Sequence, residues 1–166
     1  RMAEVSNISA ITDELENGVD VLEAGDPNAI SRRDVPPGVE VYEINGPLFF
    51  GVADRLQDPL RGLEKPPKVF ILRMRRVPAI DASGLHALEE FYKKCKSQGT
   101  ALVLSGVHAQ PLSAFIQVEF DKTVGMNNMF GNIDNALNRA REIVGLPPQS
   151  KPQGAFSEVT RERGVI

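Results

Sequence analysis

The chain has 166 residues and a formal net charge of −3, with 25% charged and 42% apolar residues. That length suits one domain with extensions, the charge offers no global attraction to nucleic acid or anionic lipid, and no run of about 18 apolar residues is present to span a bilayer. A single cysteine rules out an internal disulfide and fits a reducing compartment.

Residues 1–38 are acidic, and Met2, Val5, Ile8, Ile11 and Leu15 recur at helical spacing, which predicts a short amphipathic helix. Gly25-Asp26-Pro27-Asn28 and Pro36-Pro37-Gly38 break that pattern. The stretch 1–38 therefore reads as an acidic, partly helical linker. Val39 to Ile44 reads as a strand, Asn45-Gly46 as a type I′ turn, and Pro47 to Phe50 as the second arm of an antiparallel hairpin. Val52, Ala53 and Leu56 predict a helix over about 51–57, and Asp58-Pro59 restarts a short one through Leu60 and Leu63.

Val69-Phe70-Ile71-Leu72 is a continuous apolar run, the pattern of a central strand covered on both faces. Past Arg73, Arg75 and Arg76 the chain reaches Ile80-Asp81-Ala82-Ser83-Gly84-Leu85 and then a helical pattern. Leu85, Leu88, Tyr92 and Cys95 share one helical face, with Ala87 and Phe91 beside it. His86, Glu89, Glu90, Lys93, Lys94 and Lys96 fall largely opposite, and Gly99 suits the C′ position. Thr100 to Leu104 predicts another buried strand, and Leu112, Phe115 and Ile116 a short helix after Pro111. Residues 119–128 carry little signal beyond a short strand near Met126–Met129. The last helix is capped by Asn132, buries Ile133, Ala136, Leu137, Ala140 and Val144, and stops at Gly145 and Pro147-Pro148. The boundaries are thus a linker over 1–38, a domain over 39–145 and a flexible tail over 146–166. The alternation predicts an α/β fold: a mixed, mainly parallel sheet opened by an antiparallel hairpin and flanked by about four helices.

Little in the chain points to catalysis. His86, His108 and Cys95 lack metal-ligand spacing, and Cys95, in mid-helix on the buried face, lacks the setting a nucleophilic thiolate needs. Neither a Walker A loop nor Gly-x-Gly-x-x-Gly is present to cradle a nucleotide. Two features remain. Asp81 or Ser83 caps a helix, or Ser83 is a hydroxyl placed for phosphorylation at a helix mouth. Arg75 and Arg76 flank that loop, either solvated or holding an anion.

The strand–loop–helix Val69 to Leu72 and Ile80 to Leu85 resembles the signature of STAS domains, named for sulfate transporters and anti-sigma-factor antagonists. Gly46-Pro47-Leu48-Phe49-Phe50 and Met129-Phe130 through Ile133 to Leu137 are similar to other parts of the family pattern, and the likeness covers about residues 38–145. In the antagonist branch the serine before the glycine is phosphorylated by a partner kinase; Ser83 holds that position, while Ala82 departs from the Asp-Ser-Ser-Gly pattern. Gly46 to Gly51 and Arg1-Met2-Ala3-Glu4-Val5 are more similar to the other branch, the C-terminal cytoplasmic domain of a bacterial SulP-family anion transporter. That resemblance implies a non-catalytic regulatory domain without cofactor or metal, at the cytoplasmic face of the inner (plasma) membrane as part of an integral membrane protein. Its implied partners are the membrane-embedded transport domain of the same chain and a soluble regulatory protein or kinase, not nucleic acid. The implied docking residues are Asp81, Ala82, Ser83, Gly84, Leu85, His86, Glu89, Glu90 and Lys93, with Ser83 as the switch; for Arg75 and Arg76 the residues alone leave an anion contact and a solvated loop both open. The alternative is a stand-alone antagonist switched by phosphorylation of Ser83.

Overall fold

The computed structural model describes residues 7–10, 26–30, 33–51, 53–61 and 64–150. In chain order the strands are β1 (Asn7–Ala10), β2 (Val39–Asn45), β3 (Val69–Arg76), β4 (Ala101–Ser105) and β5 (Met129–Phe130). The helices are α1 (Ala82–Ser97), α2 (Ala109–Gln117), α3 (Phe120–Val124) and α4 (Ile133–Val144), and a 3₁₀ segment spans Ala53–Leu60. One sheet holds the strands in sequence order. β2 to β5 run parallel, and β1 lies antiparallel against β2. This is the expected mixed, mainly parallel α/β sheet with four helices. No helix of the described residues is long and apolar enough to cross a membrane.

The apolar run at Val69 does become the central strand, and its pleat sorts the core into two layers. Phe70, Leu72 and Met74 join Leu85, Leu88, Phe91 and Cys95 of α1 in one cluster. Val69 and Ile71 join Ile133, Ala136, Leu137 and Ala140 of α4 in the other, together with Ile30. Phe70 is held between Tyr42, stacked at 4.9 Å, and Phe91, edge-on at 5.0 Å. Asn132 caps α4 by accepting from the Asn135 amide at 2.8 Å, and Gly145 closes it in the left-handed region at φ 86°.

Four local expectations differ. Pro47–Phe50 does not fold back on β2. The Gly46 amide donates to the Arg76 carbonyl and the Leu48 amide to that of Ala79, so the chain runs on beside the loop after β3, where Leu48 forms a single parallel bridge with Ile80. The antiparallel edge comes instead from Asn7–Ala10, where a helix was expected. Ile8 pairs with Ile44, because an open strand edge satisfies its backbone better than an isolated turn of helix would; Met2, Val5, Ile11 and Leu15 lie outside the described residues. The two expected helices around Asp58-Pro59 are one 3₁₀ run, with Pro59 inside it and Leu56 and Leu60 buried. The weak stretch after residue 118 contains α3, reached through Glu119 at φ 60° and seated by Phe120 against Tyr92 and Phe115.

Residues on either side of 39–145 also make packing or polar contacts with it. Ala29 and Ile30 are fully buried. Past α4, Asn138 and Gln149 exchange two hydrogen bonds at 2.9 and 3.1 Å. Two outcomes are expected. Ile30→Ala lowers stability in urea unfolding by about 2–5 kcal/mol, the cost of emptying a closed site, although Ile30 precedes the first strand of the parallel sheet. Burial pushes the Cys95 thiol from 9.0 up to about 12, with Lys94 opposing weakly. The folded chain then keeps a proton that the unfolded chain gives up. Stability from this group is intact below pH 9 and falls as pH rises toward 12, and Cys95→Ala flattens that part of the pH–stability curve.

Candidate functional site

The loop after β3 delivers α1 with its amino end open at the carboxyl edge of the parallel strands, where α/β sheets commonly place their sites. The cap is Asp81, whose Oδ1 accepts from the Gly84 amide at 2.8 Å. Ser83 is therefore released from capping. It is half-buried, and its hydroxyl makes no hydrogen bond among the described residues. The choice that the sequence left open between the two caps is settled by reach: an N-cap side chain bonds the amide three residues on, and Asp81 stands at that distance from Gly84.

Gly84 is present because nothing larger fits. A Cβ there would lie 2.0 Å from the Leu48 carbonyl oxygen and 2.9 Å from Ile80 Cγ1. The helix mouth thus rests directly on the backbone that follows β2. On its other side, the Gln110 amide brackets Ile80: its Oε1 accepts from the Ile80 amide at 2.8 Å, and its Nε2 donates to the Ile80 carbonyl at 3.2 Å. Leu48 and Gln110 hold the loop from two directions.

Of the residues expected to form a docking surface, Asp81, Ala82, His86, Glu90 and Lys93 are exposed, and Ser83 and Glu89 are half-buried. Gly84 and Leu85 are buried and support the surface from beneath. Glu90 and Lys93 pair at 3.1 Å on the open helix face, a contact of little energetic weight. The sequence reading missed Phe49 and Phe50, which are 43% and 79% exposed. They follow Leu48, whose backbone carbonyl lies against Gly84 at the helix mouth. Expected as strand residues, they sit instead on a loop flanked by Gly46 and Gly51, both at φ 97°, and that glycine bracket was the available signal.

The arginines turn inward. Arg75 is 6% exposed; its Nη1 lies 2.7 Å from Asp26 Oδ2 and its Nε donates to Glu43 Oε2 at 3.2 Å. Arg76 reaches the same carboxylates at 3.8 and 3.5 Å. As the chain stands, both serve internal acids instead of flanking Ser83 as free anion contacts, because the Asp26 segment, expected as linker, packs onto their strand. Arg73 donates to the Asn28 carbonyl, and Arg33 forms a two-bond pair with Asp134 at 2.9 Å. The Arg75 carbonyl accepts from His108 Nε2, which fixes the proton on that nitrogen. Among the described residues no group of three or more His, Cys, Asp or Glu side chains is arranged to hold a metal.

This order of strands, loop and helix is matched by a family model for the STAS domain over residues 32–136. The chain belongs to the STAS domain family. This STAS domain is 53% identical to a sulfate transporter family protein from Wolinella succinogenes, whose crystal structure gives a TM-score of 0.69 and covers 72% of this chain and 98% of that one. It is 26% identical to the STAS domain of a SulP transporter from Vibrio cholerae, with a TM-score of 0.61 over 75% of this chain and 98% of the other. It is also 31% identical over 109 residues to YvdB, a candidate sulfate transporter of Bacillus subtilis, covering 65% of this chain and 20% of that protein. The chain spans about a fifth of the length of the curated relatives it matches.

Urea unfolding separates the roles at the helix mouth. Asp81→Ala should cost about 1 kcal/mol, the usual value of an N-cap. Gly84→Ala should cost about 1–3 kcal/mol, since backbone must move to admit the methyl group. Ser83→Ala should stay within about 0.5 kcal/mol of the parent chain.

Proposed function

We propose that this STAS domain is the non-catalytic regulatory domain of a SulP-type transporter of sulfate or another small inorganic anion. It stands on the cytoplasmic side and follows a membrane-embedded transport domain in the same chain. The observation that carries this reading is the 53% identity to a sulfate transporter family protein, joined by matches that cover only about a fifth of full-length transporters. The domain would act by docking. Phe49 and Phe50 offer apolar area that a partner can desolvate. Asp81, Ser83, His86, Glu90 and Lys93 give that patch a polar rim.

Ser83 would be the point of control. Its hydroxyl is uncommitted while Asp81 holds the cap. A phosphate there would add about −1.5 to −2 charges. The helix dipole favours that charge, the adjacent Asp81 carboxylate opposes it, and a charged group beside Phe49 and Phe50 weakens an apolar contact. The same free hydroxyl favours a second reading, a stand-alone antagonist released from its partner by phosphorylation, although Ala82 departs from that branch's pattern.

The coding sequence upstream of residue 1 and the uptake of radiolabelled sulfate by the full-length protein test the proposal. The upstream frame should encode a series of apolar spans. Phe49→Ser with Phe50→Ser should lower uptake several-fold at unchanged membrane abundance, and Ser83→Asp should alter uptake while Ser83→Ala leaves it near the parent value. An upstream frame without spans, or uptake indifferent to all of these changes, would overturn the transporter reading.

A further inference from the structure

A groove of about 780 Å³ lies along the outer side of α4, within the range of small-ligand clefts. Asn138 and Glu142 line it from the helix, Met126 and Phe130 from the stretch that leads through β5, and Leu146 and Pro148 from the segment after α4. Met126 is 68% and Leu146 39% exposed, so apolar area stands open to water there, and covering it is favourable.

The chain past α4 already turns back over this helix. Asn138 grips Gln149 with both ends of its amide: Oδ1 accepts from the Gln149 amide at 2.9 Å, and Nδ2 donates to the Gln149 carbonyl at 3.1 Å. Arg141 Nε donates to the Pro147 carbonyl. Because Arg141 meets Pro147 and Asn138 meets Gln149, the segment runs antiparallel to α4, toward the amino end of the helix. An amide that takes the N–H and C=O of one residue together holds backbone as a sheet edge would.

We propose that residues 151–166 continue this contact, and that Phe156 of the same chain fills the groove lined by Met126, Phe130 and Leu146. Reach allows it. Phe156 stands six residues beyond Ser150, a span of at most about 20 Å, and the 12 residues of α4 measure about 18 Å. Composition favours it. Lys151-Pro152-Gln153-Gly154 places proline second and glycine fourth, the residues a type I turn prefers. Such a turn sends Phe156, the one aromatic residue of 151–166, back along α4 toward Leu146. The tether supplies an effective concentration in the millimolar range. A contact as small as one ring in one groove is then populated within a chain while it stays weak between chains. A seated tail also screens β5, the last strand of the sheet, and open edges invite pairing with other chains. The groove belongs to α4, on the face of the sheet opposite α1, so this contact stands or falls independently of Ser83 and of the transporter reading.

Digestion of the full chain with chymotrypsin tests this, because the bond after Phe156 is cut only while the ring is out of the groove. Cleavage at that bond, followed by mass, should be about tenfold slower in the parent chain than in Met126→Lys, which places a charge in the groove at an exposed position. Asn138→Ala, which frees Gln149, should speed it as well, and serial dilution of the parent chain should leave its rate unchanged. Equal rates in the parent and both variants overturn the proposal. So does protection that fades on dilution, which assigns the groove to a second copy. The parent chain alone gives a further check that needs no variant: a nuclear Overhauser contact between the Phe156 ring and the Met126 ε-methyl is expected, and its absence overturns the assignment.

Discussion

The central strand leaves no face to water. The first seven residues of Val69–Arg76 are buried, so every neighbour must supply either apolar cover or a counter-charge. Phe70, Leu72 and Met74 demand an apolar helix, and α1 supplies it through Leu85, Leu88, Phe91 and Cys95. On the other face Val69 and Ile71 are covered by α4 and Ile30. Where that face turns cationic, at Arg73 and Arg75, Glu43 of β2 and the segment around Asp26 and Asn28 meet it. The sheet's layers and the position of the chain that leads into it follow from one strand's double burial.

The same strand sets the helix mouth. Its last turn must leave the sheet within five residues of Arg76 and open α1 at Ala82. Leu48 fills the space beside that turn with backbone instead of side chain, so position 84 tolerates only hydrogen. Gln110 holds the other side. A loop fixed from both sides presents Ser83 and the neighbouring Phe49 and Phe50 in one arrangement, which reduces the ordering cost that a partner would meet on binding.

Much of this was legible in the residues. The unbroken run at Val69 announced a strand buried twice over, and the stripes at Leu85 and Ile133 announced its two covering helices. The capping signals at Asp81, Asn132 and Gly145 stood where they act. What escaped was decided at long range. Asn45-Gly46 carries a strong local hairpin signal, yet Gly46 and Leu48 spend their amides on Arg76 and Ala79, a choice that no window of a few residues reveals. Ile8 sits in a helical spacing but meets Ile44 across a strand edge. Arg75 and Arg76 looked like surface cations because their counter-ion, Asp26, lies about fifty residues away in a stretch that reads as linker. At the helix mouth the sequence offered two caps, and only the bond from Gly84 to Asp81 separates the structural residue from the free one.

The buried arginines are hard to explain by stability alone. Removing a buried ion pair in favour of well-packed apolar groups is often neutral or favourable, and Ile30 shows that this segment can bury itself by apolar contact. An ionic contact adds direction. Apolar packing lets a segment slide, whereas Arg75 and Arg33 each require a carboxylate at one place, so the chain leading into the sheet is held in one register. From there a continuous set of contacts leads onward. Asp26 binds Arg75, the Arg75 carbonyl accepts a hydrogen bond from His108 Nε2, His108 opens α2, and Gln110 on the first turn of α2 grips Ile80 beside the Asp81 cap. The contacts between segments are an ion pair and hydrogen bonds, and the steps between them run along the covalent chain. A pull on the segment before β2 would therefore reach the loop that bears Ser83 through bonds that must either hold or break, which is the kind of two-state element that can join one site to another.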